Sequence, residues 1–127
     1  MEQIANQENL AREIVDAAFS VHSALGPGLL ESVYEECLAH DLRKRNLQVE
    51  RQLTVAVQYH DLIINSGFRM DILVGGTVIV EVKAVERVMP VHEAQILTYL
   101  KLSQKRLGLL INFNVPLIKE GIRRFIR

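Results

Sequence analysis

The stretch FRMDILVGGTVIVEVK, residues 68–83, predicts two β-strands joined in a hairpin. Both runs are rich in branched apolar residues that favour strands, and Gly75-Gly76 between them is a strong turn signal. Three charged residues, Asp71, Glu81 and Lys83, stand inside these strands, where the folding pattern does not require them. The way the hairpin closes therefore decides both the centre of the fold and whether these side chains meet.

The length of the hairpin loop determines the faces on which the two acids lie. Because side chains alternate along a strand, a two-residue loop would direct Asp71 and Glu81 to opposite faces of the sheet. A three-residue loop, 74–76, would pair Leu73 with Thr77 and bring the acids to one face. We predict this longer loop, with its last glycine in the left-handed conformation and a bulge beside it.

The rest of the chain predicts an α/β fold in the order α-α-β-β-β-α-β-β, with a mixed sheet flanked by helices. The helices share an apolar repeat of three to four residues, and the first pair is separated by the break Gly26-Pro27-Gly28. The third helix should face the core with Ala94, Leu97 and Leu100, and Ile96 is a further candidate. The predicted helices cover 8–24, 28–45 and 91–103, and the remaining strands cover 48–59, 106–113 and an edge strand within 121–127.

Composition places the chain among single-domain proteins, here residues 1–127, without a membrane span or a structural zinc site. The start of the chain lacks the pattern of a secretory signal, and its one cysteine, Cys37, fits a reducing compartment, so we expect a cytoplasmic protein. The net charge is zero. Any surface that binds nucleic acid must therefore be local, and the candidates are the clusters Arg43-Lys44-Arg45, Lys101/Lys105/Arg106 and Arg123/Arg124/Arg127.

Carboxylates that converge with an ammonium group suit phosphodiester hydrolysis. Two or three carboxylate oxygens are ligands for Mg²⁺ or Mn²⁺, and a lysine can hold a water or stabilise charge on a phosphate. The spacing of Glu81 and Lys83 alone does not establish this chemistry, because an acid two residues before a lysine arises about once by chance in a chain of this length. A solvated strand face with a side-by-side ion pair remains an alternative.

Several motifs together resemble the PD-(D/E)xK nuclease superfamily, and most closely its small bacterial GxxExxY family. The segment GLLESVY, residues 28–34, carries the motif that names this family. Asp71 followed by Glu81-Val82-Lys83 matches the core signature, although Met70 stands where many members have proline. GLLINF, residues 108–113, resembles the next strand of the family. The resemblance runs from about Leu10 to the end of the chain and implies a restriction-endonuclease-like core.

The resemblance also implies roles for particular side chains. Asp71 and Glu81 would be the principal metal ligands, and Lys83 would position or activate water. Glu31 would support the metal directly or through water. The helix that follows would contribute Gln95 and Tyr99, four residues apart on one face, to orient Lys83, water or substrate, and His92 one turn earlier is a possible substrate contact.

Three functions remain open at this level. The first is a Mg²⁺- or Mn²⁺-dependent nuclease, with DNA as the expected partner. The second is a nuclease-fold protein that has lost catalysis and serves as a binding or regulatory module. The third is an interaction protein whose acids are only surface. A domain this small has few loops with which to hold a duplex, so a homodimer or a partner protein would complete the groove.

Overall fold

The computed structural model describes residues 2–127, with side chains from residue 6 onward. Its element order is the predicted one, with a short 3-10 helix, Ile118–Gly121, added before the last strand. The helices are α1 (Glu2–Leu25), α2 (Glu31–Lys44) and α3 (Pro90–Ser103), and the strands are β1 (Val49–Tyr59), β2 (Leu62–Val74), β3 (Val78–Lys83), β4 (Leu107–Asn112) and β5 (Ile122–Ile126).

The five strands form one mixed sheet in the order β1-β2-β3-β4-β5, in which only β3 and β4 run parallel. The sheet is covered on both faces, which explains why β3 and β4 read as nearly continuous apolar runs. Helices α1 and α2 pack on one face, around Ile14, Leu38 and Val80. On the other face Leu100 of α3 packs against Ile79. The predicted α/β class is confirmed, and β5 lies at the predicted edge.

The central hairpin closes with three residues, but one position later than predicted. Strand pairing ends at Val74 opposite Val78, so the loop is Gly75–Thr77. Both glycines are left-handed, with φ of +59° and +68°, and the Thr77 N–H donates to the carbonyl of Val74 at 3.1 Å. The predicted pairing of Leu73 with Thr77 is wrong by two residues. An even shift preserves the faces, so the two acids of the hairpin still lie on one face.

Strand β2 begins six residues earlier than the apolar run at Phe68 predicted. A two-residue turn, His60-Asp61, joins it to β1, with His60 left-handed at φ +54°. Residues 62–67 are exposed on both faces of this outer hairpin. Because neither face is buried there, the alternation of apolar and polar residues that marks a strand is lost.

The helices differ from prediction at their ends and in one face. Helix α2 begins at Glu31 rather than near Gly28, and the residue that precedes it, Leu30, is 73% exposed. In α3, Leu100 is buried as predicted, whereas Ala94 and Leu97 face solvent. Within the described part of the chain, no helix combines the length and apolarity needed to span a membrane.

Candidate active site

The candidate site lies at a fork in the sheet, where β2 and β3 separate. The last pair that joins these strands is Ile72 with Val80. Beyond it β2 continues along β1, whereas β3 continues along β4, with Glu81 opposite Leu110. Asp71 and Glu81 are the first residues after the separation, one on each branch. The fork therefore leaves backbone groups without ladder partners at the position of these two acids.

The two carboxylates replace the missing ladder bonds reciprocally. The backbone N–H of Asp71 donates to Oε2 of Glu81 at 2.9 Å. In return, the backbone N–H of Val82 donates to Oδ2 of Asp71 at 2.9 Å. Each carboxylate thus uses one oxygen to hold the fork and keeps its second oxygen for another partner. The backbone of the sheet sets the positions of both acids.

The electrostatics of the pair favour a bound positive charge. Glu81 is only 3% exposed, and burial, followed by the negative charge of Asp71, raises the pKa of its carboxyl to about 8. Burial also raises the pKa of Asp71, although the hydrogen bond from Val82 opposes this shift. Two desolvated carboxylates side by side are unfavourable when both are charged, so binding of a proton or a cation stabilises the pair.

Lys83 supplies the positive charge that is closest in sequence to the pair. Its charge opposes the raised pKa values of Glu31, Asp71 and Glu81, so it lies within electrostatic reach of all three. Among the described residues its ammonium makes no ion pair within 4.0 Å. The ammonium group therefore remains available to a ligand.

The end of β3 that carries Lys83 is held by the end of β4. The carbonyl of Lys83 accepts a hydrogen bond from the Phe113 N–H at 2.9 Å. The buried amide of Asn112 then binds Val85 in both directions, accepting from its N–H at 3.0 Å and donating to its carbonyl at 2.9 Å. These bonds extend the contact between β3 and β4 past the last strand residue. They fix the segment that leaves the site.

The GxxExxY segment builds the turn that places Glu31 at the start of α2. The Tyr34 hydroxyl donates to the carbonyl of Gly26 at 2.6 Å and accepts from the N–H of Leu29 at 3.0 Å. Gly28 is left-handed, with φ of +99°. The glycine and tyrosine of the motif therefore shape the loop, and they leave the acid between them to face the fork.

Glu31 is exposed, yet the charged groups at the fork affect the pKa of its carboxyl. Partial desolvation, and to a smaller extent the charges of Asp71 and Glu35, raise the pKa of its carboxyl, whereas Lys83 lowers it. The position also suits a helix start, where negative charge is favoured by the helix dipole. The two roles are compatible, because the same turn meets both.

Helix α3 borders the other side of the fork with Tyr99 and Gln95. The Tyr99 ring stacks on Phe68 with centroids 4.4 Å apart. Burial, then the charges of Glu81 and Asp71, raise the pKa of the Tyr99 hydroxyl, and Gln95 opposes the shift. Tyr99 thus lies within electrostatic reach of the two acids, and Gln95 lies beside Tyr99.

His92 has a clear local role. Its ring Nδ1 accepts a hydrogen bond from the backbone N–H of Met89 at 2.9 Å, and the backbone N–H of His92 donates to the Met89 carbonyl at 2.9 Å. It therefore caps the start of α3. The structure shows no group of the fork bonded to its ring among the described residues.

Sequence reasoning missed a second group beside the fork, formed by Glu35, Arg51 and Gln52. Glu35 is 6% exposed, and both other residues donate to its carboxylate. A signal was present, because Glu35 lies one turn after Glu31 and three residues before the buried Leu38, on the inward side of α2. Its charge contributes to the raised pKa values at the fork.

The donor set fits a hard divalent cation. Oxygen ligands from one or two carboxylates, completed by water and substrate, are the usual protein contribution to Mg²⁺ sites. Asp71 and Glu81 offer such a pair. Across the described side chains, residues 6–127, no three His, Cys, Asp or Glu residues come close enough to enclose a metal ion. Glu31 is a further acid near this pair, since the charge of Asp71 contributes to its raised pKa.

One protein family matches most of the chain. A family model described as the PD-(D/E)XK nuclease superfamily matches residues 8–125, which include every residue of the fork. The comparisons with curated proteins and with solved structures gave no match.

Proposed function

Since the chain belongs to the PD-(D/E)XK nuclease superfamily, we propose that it is a metal-dependent nuclease that hydrolyses phosphodiester bonds in DNA. The observation that carries the proposal is the reciprocal pair Asp71–Glu81 at the fork, with the ammonium of Lys83 within electrostatic reach. The turn formed by residues 26–34 supports a finer assignment to the GxxExxY group.

Asp71 and Glu81 would hold Mg²⁺ or Mn²⁺ through the oxygens that do not bind the backbone, and Glu31 would act through a water. When bound, the cation polarises the phosphate and lowers the pKa of coordinated water. Lys83 would orient the attacking water and balance the charge that develops on the phosphate. Tyr99 and Gln95 would keep this ammonium and the substrate aligned from α3, and His92 would preserve the helix start.

The charge distribution bears on how a duplex could be held. Arg45, Arg123 and Arg124, all from the predicted basic clusters, are committed to ion pairs with acids of the same chain. The net charge is zero, so the other basic residues are balanced by acids elsewhere on the chain. A homodimer or a partner protein would therefore supply part of the grip on nucleic acid.

The first test is a Mn²⁺ titration by calorimetry on the wild type and on Asp71→Ala. We expect saturable binding that weakens at least about 100-fold in the variant, because one of two carboxylate ligands is gone. Asp61→Ala is the matched control, since Asp61 lies in the exposed turn of the outer hairpin. Equal binding by the wild type and Asp71→Ala would contradict the site.

The second test separates a nuclease from an inactive nuclease-fold module. Linear and nicked duplex DNA, with single-stranded RNA as comparison, are incubated with protein and Mn²⁺. We expect DNA cleavage that Lys83→Ala abolishes while its Mn²⁺ binding persists. Lys119→Ala is the control, because Lys119 is exposed in the 3-10 helix and belongs to none of the candidate basic clusters. Metal binding without cleavage of any substrate would assign the chain to the binding module.

A further inference from the structure

Strand β1 departs from strand geometry at one residue beside the site. The pairs Arg51–Ile72 and Leu53–Met70 flank Gln52, whose φ is +51°. The register of these pairs sets Gln52 opposite Asp71. A left-handed conformation is unfavourable for a residue with a side chain, and it persists where surrounding contacts enforce it, often at functional sites.

The contact that enforces this conformation is a buried acid on the neighbouring helix. The side-chain nitrogen of Gln52 donates to both oxygens of Glu35, at 2.8 and 3.0 Å. Arg51 donates to Oε2 of the same carboxylate through Nε at 3.1 Å and Nη2 at 3.0 Å. Two consecutive residues of β1 thus bind one acid of α2. A regular strand would direct their side chains to opposite faces, so the left-handed residue is what lets both reach Glu35.

The amide of Gln52 also acts on the fork. A primary amide has two N–H donors. The two oxygens of Glu35 subtend a narrow angle at the Gln52 nitrogen, so one N–H is shared between them and the second is left for another acceptor. The register sets Gln52 opposite Asp71, so the side chain that binds Glu35 starts from the position next to the fork. In agreement with this placement, Gln52 lowers the pKa of Asp71, against the larger effects of burial and of the Glu35 charge.

We propose that Gln52, held by Glu35 and Arg51 in the left-handed kink of β1, is a positioning residue that directs an amide N–H at the carboxylate of Asp71. It does not touch substrate. It fixes the orientation of the Asp71 oxygen that faces the cation, as partners of metal ligands commonly do. The consequence for metal rests on the proposed function, whereas the hydrogen bond itself can be tested without metal.

The first experiment measures Mn²⁺ affinity by calorimetry in Gln52→Ala and Gln52→Gly. We expect the dissociation constant to rise about tenfold or more in both, the range seen when partners of metal ligands are removed. Glycine relieves the left-handed backbone, so a loss shared by both variants is due to the amide rather than to strain. Gln58→Ala is the control, because Gln58 lies on the same strand and binds only the His60 carbonyl. Wild-type affinity in both Gln52 variants would overturn the proposal.

An exchange of the two side chains separates positioning from a merely structural role. The double variant Glu35→Gln/Gln52→Glu keeps an amide bonded to a carboxylate and keeps an acid for Arg51, but it removes the donor aimed at Asp71. We expect thermal stability close to wild type and Mn²⁺ affinity as weak as in Gln52→Ala. Recovery of both stability and affinity would show that Gln52 serves only to neutralise Glu35, and it would overturn the proposal.

A metal-free measurement covers the case in which the wild type binds no Mn²⁺ and the proposed function fails. In ¹H–¹⁵N spectra the two side-chain N–H protons of Gln52 are followed in the wild type and in Asp71→Asn. We expect one proton to move upfield in the variant while the proton bonded to Glu35 stays in place. Identical signals in both proteins would overturn the positioning role, whatever the metal result.

Discussion

Two buried glutamates lie beside the same fork, and the molecule neutralises them in opposite ways. Glu35 is 6% exposed and receives four hydrogen bonds from the side chains of Arg51 and Gln52. Glu81 is 3% exposed, and its nearest partners are a backbone N–H and a second acid, Asp71. One carboxylate is satisfied within the chain, and the other lacks a counter-charge in direct contact.

The difference separates structural burial from functional burial. A buried acid with its own guanidinium and amide holds two elements together and has no capacity left for a ligand. A buried acid beside another acid destabilises its charged form, and a ligand that brings positive charge removes that cost. Burial alone would rank the two residues equally, so the partners are what identify the site.

The largest expected effect concerns Glu81, the glutamate beside a second acid. The pKa of Glu81 is about 8 in the folded chain and about 4.5 when unfolded, so the folded state binds more protons between these pH values. The metal-free protein should therefore lose stability as pH rises from about 4.5 to 8, by at most about 1.4 kcal/mol per pH unit from this group. Glu81→Gln should remove most of the loss and be on the order of 3 kcal/mol more stable than wild type at pH 8.

Urea unfolding in EDTA at pH 5 and pH 8 measures this difference. A smaller slope should remain in Glu81→Gln, because the pKa values of Asp71 and Glu31 are raised as well. Parallel loss of stability in both proteins would remove the contrast between the two glutamates.

The second effect concerns Glu35, whose removal should lower the stability of the protein rather than raise it. Glu35→Ala should destabilise the protein by about 2 kcal/mol at neutral pH, less than the ~3–5 kcal/mol of fully buried pairs, because Arg51 keeps access to water. Glu93→Ala, which removes an exposed pair with Arg123, should change stability by less than about 1 kcal/mol. Equal effects in the two variants, measured by urea unfolding, would show that burial of Glu35 adds nothing.

The smallest expected effect comes from removing the cation that pairs with Glu35. Arg51→Met removes the guanidinium from Glu35 and leaves the Gln52 amide in place. We expect a loss of about 1 kcal/mol, because the buried carboxylate then lacks its cation. Arg51→Lys, which keeps a cation, should lose less. Thermal unfolding measures both variants, and equal losses would mean that Arg51 contributes packing rather than charge.

The features that could be predicted are those encoded by local patterns of apolar residues and glycines. The apolar runs and the turn glycines predicted the element order and the shared face of Asp71 and Glu81. The register was displaced because both glycines, not only Gly76, are left-handed. In α3 the apolar repeat does not distinguish the buried Ile96 from the exposed Leu97, since the adjoining residues of this helix are apolar on several sides.

The site was predictable only where it follows a motif. Glu31, Asp71, Glu81 and Lys83 stand in a recognisable order, and their roles remain proposals. Gln52 carries no comparable signal, because glutamine rarely takes a left-handed conformation in a strand and its reason lies in Glu35, seventeen positions earlier. The reciprocal bonds of the fork were equally hidden. They depend on where two strands part, which is a property of the packed sheet.

The bonds at the fork make two backbone amides into reporters of the site. The N–H groups of Asp71 and Val82 lie past the last pair that joins β2 to β3, where a frayed sheet would exchange its hydrogens with solvent quickly. Here each is covered by a carboxylate of the other branch. Any ligand that binds those carboxylates must alter the rate at which the same two amides exchange hydrogen with solvent. Deuterium uptake at these two amides therefore reports binding at the fork in the unlabelled, unmutated protein, before any substrate is known.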